Sequence, residues 1–244
     1  MKIGLFYGST TCYTEIAAEK IQATIGHALV DLHNIKDTPL VNCLNYNFII
    51  LGISTWDYGE LQEDWESVWL DINTLDLSGK TIALYGMGDQ IGYTDWFQDA
   101  LGMLHEQVVA QGAKLIGYWP NQGYEFAASK ALTTDNSHFV GLAIDEDNQP
   151  ELTQERLLKW LTILKNNLIN QIHNVLYLFG KQKIQGFLHF WVLKRYICEN
   201  KLELISDNPQ RQFLQFVLVR YKVEVVFPIL QTIFRYYWHK RLRT

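Results

Sequence analysis

Residues 6–14 read F-Y-G-S-T-T-C-Y-T and directly follow the apolar start of the chain, M-K-I-G-L. The apolar run predicts a buried β-strand, and the polar residues after it predict a loop that leads into a helix. A helix N-terminus offers free N–H groups and the positive end of the helix dipole, so this loop could bind an anion without a cationic side chain. It has no lysine or arginine, and its hydroxyl donors for a phosphate are Ser9, Thr10, Thr11 and Thr14.

Two other kinds of phosphate loop do not fit these residues. A Walker loop needs Gly-Lys before its serine or threonine, and here Cys12 and Tyr13 precede Thr14. A cysteine-dependent phosphatase would need an arginine after its nucleophile, and Cys12 is followed by Y-T-E-I-A-A. An ordinary helix cap made by Thr11 or Thr14 remains an equal alternative at this point. Cys12 itself is expected to be a buried, inert small residue rather than a reactive thiol.

The charge of the chain is unevenly distributed. The net formal charge is −5, but residues 1–170 contain 9 Lys+Arg and 22 Asp+Glu, for a net −13, and residues 171–244 contain 12 and 4, for a net +8. We therefore expect a domain of residues 1–170 followed by a basic extension of residues 171–244. The acidic domain should repel nucleic acid and favour partners with a basic docking face.

The cysteines and the N-terminus indicate the compartment. Cys12, Cys43 and Cys198 lack the spacing of a disulfide framework or of a metal site, so we expect neither. The first residues do not have the pattern of a signal peptide, because Lys2 is followed at once by a short strand-like run and a polar loop. We expect a cytoplasmic location.

Apolar strand-like runs alternate with helix-like stretches along residues 1–170, which predicts an α/β fold with a doubly wound, five-stranded parallel sheet and helices on both faces. The runs are continuous, as in F-I-I-L-G-I, which is typical of strands covered on both sides. The predicted strands are Lys2–Tyr7, Ala28–His33, Phe48–Ile53, Thr81–Tyr85 and Lys114–Tyr118, with Phe139–Ala143 as the second half of an interrupted fifth strand. The predicted helices are Thr14–Ile25, Gln62–Ile72, Trp96–Gln111 and Thr153–Leu168.

Ligands of such folds bind at the carboxyl ends of the strands. Three predicted loops lie there, at Gly8–Tyr13, Ser54–Gly59 and Gly86–Tyr93. The second and third loops add the aromatic side chains of Trp56 and Tyr93 to the phosphate site of the first. Together the three loops predict a phosphorylated planar heterocycle as the ligand.

These loops resemble those of the flavodoxin family, in the same order and with similar spacing. The family's phosphate loop usually reads T/S-x-T-G-x-T, and here it is S-T-T-C-Y-T; G-I-S-T-W-D-Y-G and G-D-Q-x-x-Y resemble its two isoalloxazine loops. The block G-Y-W-P-N-Q-G-Y-E-F…F-V-G-L-A-I-D-E-D-N-Q looks like the insertion of long-chain flavodoxins, and T-W-D-Y-G with the Cys-Tyr loop is most similar to the bacterial flavodoxin B branch. The resemblance covers about residues 1–169 and implies strand order 2-1-3-4-5 with FMN at the switch point.

The resemblance also implies which residues contact FMN. Trp56 and Tyr93 would sandwich the isoalloxazine ring, and the Asp57–Tyr58 peptide would turn its carbonyl toward flavin N5 when N5 is protonated. The phosphate would be held by Ser9, Thr10, Thr11, Tyr13 and Thr14, with a backbone N–H from Cys12. The other implied contacts are Asp89 and Gln90 at the pyrimidine edge, Asp147 near the ribityl chain, and the loop residues Ser54, Thr55, Gly59 and Gly88.

Three residues depart from the family's usual pattern. Cys12 stands where glycine is usual, so a positive φ there would strain the loop. Ser54 replaces a common proline. Asp57 puts a carboxylate near the reacting edge of the ring.

The resemblance implies an FMN-binding, low-potential one-electron carrier and not an enzyme. Its partners would be a flavodoxin/ferredoxin-NADP reductase-type donor and acceptor redox enzymes, which dock on the acidic face around Glu60–Glu66 of a monomer. The alternative is an FMN-dependent NAD(P)H:quinone oxidoreductase on the same fold. That enzyme needs an open flavin face, and Trp56 with Tyr93 would cover both faces.

Residues 171–244 match nothing in this pattern. The apolar run Phe213–Trp238 contains Arg220, Lys222, Glu224 and Pro228, so a membrane-spanning helix is not expected. The interpretation we place first is a readthrough or frameshifted continuation after a normal end near Asn170. The alternatives are contact with a membrane surface and folding back onto the acidic domain.

Overall fold

The computed structural model describes the backbone of residues 2–182 and the side chains of residues 2–170. Lys2–His173 form one compact unit. The second unit, which begins at Asn174, lies almost wholly outside the described residues, and so do the predictions for the extension. Within the described residues, no helix is long and apolar enough to cross a membrane.

The elements of the compact unit alternate between strands and helices. The strands are β1 (Ile3–Tyr7), β2 (Val30–Asn34), β3 (Phe48–Trp56), β4 (Glu60–Leu61), β5 (Thr81–Met87), β6 (Lys114–Ile116), β7 (Trp119–Pro120), β8 (His138–Phe139) and β9 (Leu142–Ile144). The helices are α1 (Tyr13–Ile25), α2 (Glu63–Val68), α3 (Asp99–Ala110) and α4 (Thr153–Gln182). Short 3-10 helices lie at Leu40–Asn45, Trp69–Thr74, Thr94–Trp96 and Pro150–Leu152.

The main sheet is parallel and has the predicted strand order. Strands β2, β1, β3 and β5 are neighbours in that order, and the fifth position is shared by β6 and β9, which both pair with β5. β6 pairs with the first half of β5 and β9 with the second half. The chain between them leaves the sheet and forms the small hairpin of β7 and β8. The prediction of an interrupted fifth strand is therefore confirmed.

Helices cover both faces of this sheet, as the continuous apolar runs predicted. On one face, the Tyr85 hydroxyl of β5 donates to the Thr14 carbonyl of α1 at 2.9 Å, and the Tyr85 ring meets Trp160 of α4 edge to face. On the other face, a small apolar cavity is lined by β3 and β5 together with Trp65 of α2 and Leu104 of α3. Alternate side chains of each central strand are thus buried under different helices.

All four helices have bounds that differ from the predicted ones, and α1 differs only in starting one residue earlier, at Tyr13. α2 ends at Val68 and continues as a 3-10 helix. α3 begins at Asp99 because Gln98 has a left-handed backbone, with φ 65°. α4 runs past the predicted boundary at residue 170 to Gln182. The division of the chain at residue 170 remains a prediction.

Gly52 lets the Tyr85 side chain lie flat on the sheet beneath α1. A Cβ at Gly52 would overlap the tip of the Tyr85 ring, which is fully buried. Since the hydroxyl of the same ring holds the first turn of α1, this close approach positions the helix that begins at the first loop.

We expect Gly52→Ala to lower the free energy of unfolding by about 1–3 kcal/mol, because the buried ring has no space to move into. Chemical denaturation followed by far-UV circular dichroism measures the change. The control is Gly79→Asn, at a left-handed position (φ 75°) with open space around it, where we expect less than about 0.5 kcal/mol. Equal losses in the two variants would contradict the packing argument.

Candidate functional site

The register of the parallel strands brings four loops to one edge of the sheet. The aligned pairs are Tyr7 with Gly52, Ser54 with Met87, and Met87 with Ile144. The loops after β1, β3 and β5 therefore leave the sheet side by side, as predicted. The loop after β9, residues 145–149, joins them.

The first loop ends at a helix that has no side-chain cap. α1 begins at Tyr13, and Cys12 occupies the cap position with φ 68° and without a capping hydrogen bond from its side chain. Thr14 is buried inside the first turn. The alternative of an ordinary cap made by Thr11 or Thr14 is therefore wrong.

The first loop keeps its hydrogen-bond donors free. Ser9 Oγ is buried without a partner. Within the described part of the chain, the main-chain amides of Thr10, Thr11 and Cys12 donate no hydrogen bond. With the positive end of α1 added, these groups fit a phosphate, because an anion would satisfy donors that are otherwise unpaired.

The conformation of Cys12 bears out the expected strain, but its burial does not agree with the prediction. The residue is left-handed, a region that glycine enters freely and other residues rarely. Its side chain is exposed, so the expectation of a buried thiol is wrong. The physical reason is that Cys12 occupies the cap position before α1, which begins at Tyr13, so its side chain lies outside the layer that the helix forms on the sheet.

The second loop is a three-residue connection between β3 and β4. Trp56, the last residue of β3, is half-buried, and its Nε1 donates to Ser54 Oγ at 3.0 Å. Asp57 has φ 42° and is exposed, and Tyr58 is 71% exposed with its ring edge against Trp96. Gly59 has φ 90° and lies so close to Asp99 that a Cβ would reach 2.9 Å from that carboxylate. A glycine is needed at this position.

The first and second loops are joined by side chains that the sequence analysis did not single out. Gln62 is fully buried, and its Nε2 donates to Thr10 Oγ1 at 2.9 Å and to Asp64 Oδ2 at 2.8 Å. The same Asp64 oxygen accepts from the Ser9 amide at 3.2 Å. From the sequence, Asp64 is only one acid within the acidic stretch Glu60–Glu66. Its spacing from Glu60, Glu63 and Glu66 gave no signal for a different role.

The third loop is shaped by Asp89. Its Oδ1 accepts from the amides of Ile91 and Gly92 at 2.9 and 2.6 Å and from Asn148 Nδ2 at 2.7 Å. Partial burial opposes ionisation of this carboxyl, but the hydrogen bonds outweigh it, so its pKa lies below the ordinary value. The loop then exposes Tyr93 at 41%. Asp89 is thus charged at neutral pH and holds the turn before Tyr93.

The side chain of Gln90 is turned into the protein. Its side chain is 2% exposed; Nε2 donates to Asp145 Oδ2 at 2.7 Å, and Oε1 accepts from the Glu125 amide at 2.6 Å. The amide group is therefore used inside the protein. The main-chain amide of Gln90 also donates to Asp145 Oδ2, at 3.1 Å, so the main-chain carbonyl is the group left to contact a ligand.

Asp145 is the buried centre that joins the third and fourth loops. Its carboxylate has no exposed surface and accepts from Gln90, from the Asp147 and Asn148 amides, and from Asn148 Nδ2. A single acid after an apolar run gives no sequence signal for this role. Asp147 next to it is exposed. Partial burial and then the charges of Asp89, Asp145 and Glu146 raise the pKa of Asp147.

Together the four loops present three kinds of surface along one edge of the sheet. Unpaired neutral donors lie in the first loop, the indole of Trp56 and the ring of Tyr93 in the second and third, and carboxylates in the third and fourth. This arrangement suits an elongated ligand with a phosphate at one end and a planar ring.

The remaining predicted contacts, Thr55 and Gly88, lie at the ends of β3 and β5. Thr55 Oγ1 accepts from the Ala100 amide at 3.1 Å, and the Gly88 amide donates to the Ile144 carbonyl at 3.1 Å.

Comparisons with known proteins agree with this arrangement. The family model described as Flavodoxin matches residues 5–160. Flavodoxin 2 of Salmonella typhi is 56% identical over 160 residues, which are 66% of this chain and 92% of that protein. Flavodoxin 2 of Escherichia coli K12 is 54% identical over 168 residues, 69% of this chain and 97% of that protein. Flavodoxin of Synechococcus elongatus is 47% identical over 166 residues, which are 68% of this chain and 96% of that protein.

Solved structures give the same result. The crystal structure of Fusobacterium nucleatum flavodoxin bound to flavin mononucleotide has a TM-score of 0.64 and 29% identity, and the match covers 68% of this chain and 98% of that one. The fold and its loops define an α/β protein with a ligand site at the carboxyl edge of a parallel sheet. The chain belongs to the flavodoxin family.

We expect Cys12→Gly to be more stable than Cys12→Ala by about 0.5–1 kcal/mol, since both remove the sulfur but only glycine relieves the left-handed backbone. Thermal and urea unfolding of the ligand-free variants measure the difference. If the alanine variant is as stable as the glycine variant, the left-handed conformation at Cys12 is not the source of strain.

Proposed function

We propose that the protein binds FMN at the carboxyl edge of its sheet and carries electrons between redox proteins. The observation that carries the proposal is the set of unpaired neutral donors at the start of α1, with Ser9 Oγ buried and unsatisfied, in a chain of the flavodoxin family. The structural neighbour from Fusobacterium nucleatum, a flavodoxin bound to flavin mononucleotide, supports the same ligand.

We infer the contacts from the resemblance and from the loops on which these groups lie. The phosphate is bound by the Ser9, Thr10 and Thr11 hydroxyls and by amides from Thr10 to the first turn of α1, including those of Cys12, Tyr13 and Thr14. Trp56 and Tyr93 contact the two faces of the ring. The polar edge of the ring meets Gly88, Asp89 and the main chain of Gln90. Asp147 lies near the ribityl chain. The loop beside the ring is formed by Ser54, Thr55, Asp57, Tyr58 and Gly59.

Bound FMN supplies the redox chemistry, and the protein tunes it. The Asp57 carbonyl would accept a hydrogen bond from a protonated flavin N5, and the left-handed residues at Asp57 and Gly59 permit the peptide between Asp57 and Tyr58 to turn. The carboxylates of Asp57, Asp89 and Asp147 disfavour further negative charge on the ligand. Both effects favour transfer of one electron at a time, with the last electron at low potential.

Redox partners dock on the acidic face, defined as Glu60, Glu63 and Glu66. All three side chains are exposed and lie beside the second loop. A donor of the flavodoxin/ferredoxin-NADP reductase type, and acceptor enzymes, would approach this face with basic surfaces. We propose a monomer in the cytoplasm, where a reducing environment keeps the exposed Cys12 thiol free.

The Ser9→Ala variant distinguishes a role of Ser9 in phosphate binding from a role in folding stability. We expect FMN affinity to fall about 10- to 100-fold, because one hydrogen bond to a charged group is lost, while riboflavin affinity and unfolding free energy do not fall. Fluorescence quenching titrations measure both affinities. Thr162→Val, a helix-surface hydroxyl bonded to the Leu158 carbonyl, is the control and should leave both affinities unchanged. Equal losses for FMN and riboflavin would place Ser9 away from the phosphate.

Neutralising the three glutamates tests whether redox partners dock on the acidic face. We expect Glu60→Gln/Glu63→Gln/Glu66→Gln to lower kcat/KM for reduction by a basic reductase about tenfold at low salt and to flatten its salt dependence. Stopped-flow reduction at several ionic strengths measures both. Glu106→Gln, an exposed acid on α3, is the matched control. An unchanged salt slope in the triple variant would show that docking uses another surface.

The alternative of an NAD(P)H:quinone oxidoreductase has no support in the names of the relatives, which are flavodoxins and therefore electron-transfer proteins. Steady oxidation of NAD(P)H by the purified FMN-loaded protein with a quinone, and without a reductase, would reverse this conclusion.

A further inference from the structure

The indole of Trp56 is held by a side chain two residues before it. Ser54 and Trp56 share one face of β3, because side chains alternate along a strand. Trp56 Nε1 donates to Ser54 Oγ at 3.0 Å. Thr55, on the opposite face, accepts from the first helical turn of α3 through its Oγ1. The end of β3 is thus anchored on both faces.

The main chain of Trp56 is fixed independently of its ring. Its carbonyl accepts from the Gly59 amide at 3.1 Å, and Trp56 pairs with Glu60 across the hairpin. Ser54 in turn is paired with Met87 of β5. The hydrogen bond from Nε1 to Oγ is therefore the contact that selects the orientation of a ring whose backbone is already in place.

A serine at position 54 is suited to accept the hydrogen bond from the Trp56 indole. An indole nitrogen is a donor only, so it needs an acceptor, and a hydroxyl at the γ position of the residue two before it lies within reach. Proline, which is common here in the family, has no side-chain acceptor. The half-buried indole would then have to direct its N–H to water or to the ligand.

We propose that Ser54 is a positioning residue for the ring-binding wall of the site: it fixes the Trp56 indole by accepting its N–H before the ligand arrives. This inference rests on the proposed FMN site, of which Trp56 is one wall. Because the orientation is set in the free protein, binding does not have to order this side chain, and affinity benefits.

A double-mutant cycle in the full-length protein tests the proposal. We expect Ser54→Ala to weaken FMN binding about fivefold, the equivalent of one neutral hydrogen bond, and Ser54→Thr, which keeps the hydroxyl, to restore it. In the Trp56→Phe background the ring has no N–H, so Ser54→Ala should then have no further effect. An equal loss in both backgrounds would overturn the proposal, since Ser54 would act by some route other than the indole.

A second measurement does not depend on FMN. In the nuclear magnetic resonance spectrum of the ligand-free protein, the indole N–H signal absent from Trp56→Phe identifies Trp56. We expect this signal to move upfield and its proton to exchange faster in Ser54→Ala, and to stay in place in Ser54→Thr. An unmoved signal in Ser54→Ala contradicts the hydrogen bond. If the signal moves but no variant, nor the parent protein, binds FMN, the proposed function fails and the role of Ser54 in orienting the indole stands.

Discussion

The parallel register of β1, β3, β5 and β9 is the constraint on which the site depends. Because these strands end level with one another, four loops that are far apart in the chain meet at one edge of the sheet. The insertion that divides the fifth strand does not disturb this edge, since β9 resumes pairing with β5 where β6 stops. Gly52 and Tyr85 extend the constraint to α1, whose first turn is bonded to the Tyr85 hydroxyl.

The proposed site binds a phosphate on an acidic protein, and its first loop has no lysine or arginine. The first loop offers unpaired amides and the Ser9 hydroxyl, and the first lysine after it, Lys20, lies near the end of α1. Asp64 even places a carboxylate on the Ser9 amide. Hydrogen-bond donors and the helix dipole must therefore supply the affinity for phosphate, and the surrounding carboxylates make additional negative charge on the ligand unfavourable. The low potential that we propose would have the same electrostatic cause.

Much of this could be read from the sequence. The interrupted fifth strand and the three loops were predicted from apolar continuity and from glycine-rich or hydroxyl-rich stretches, which are local signals, and the strand order was implied by the resemblance to flavodoxins. Gln62 and Asp145 could not be found this way. Both are polar residues whose burial depends on partners 52 and 55 residues away, such as Thr10 and Gln90. The sequence likewise contains no sign that the Gln90 side chain is bonded to the interior of the protein.

Errors at the element ends have a related cause. Cys12 was expected to be a buried, inert small residue before α1, but it occupies the cap position with a left-handed backbone and its side chain is exposed. α3 starts late because of the left-handed backbone at Gln98, and a non-glycine residue gives no sequence sign of that conformation.

The most direct test of the central claim is an anaerobic reductive titration of the purified full-length protein after addition of FMN and removal of the excess. The account predicts one retained flavin per chain and reduction in two separate one-electron steps, the second at a lower potential than for free FMN. A protein that retains no flavin, or a bound flavin that accepts both electrons in a single step at the potential of free FMN, would contradict it.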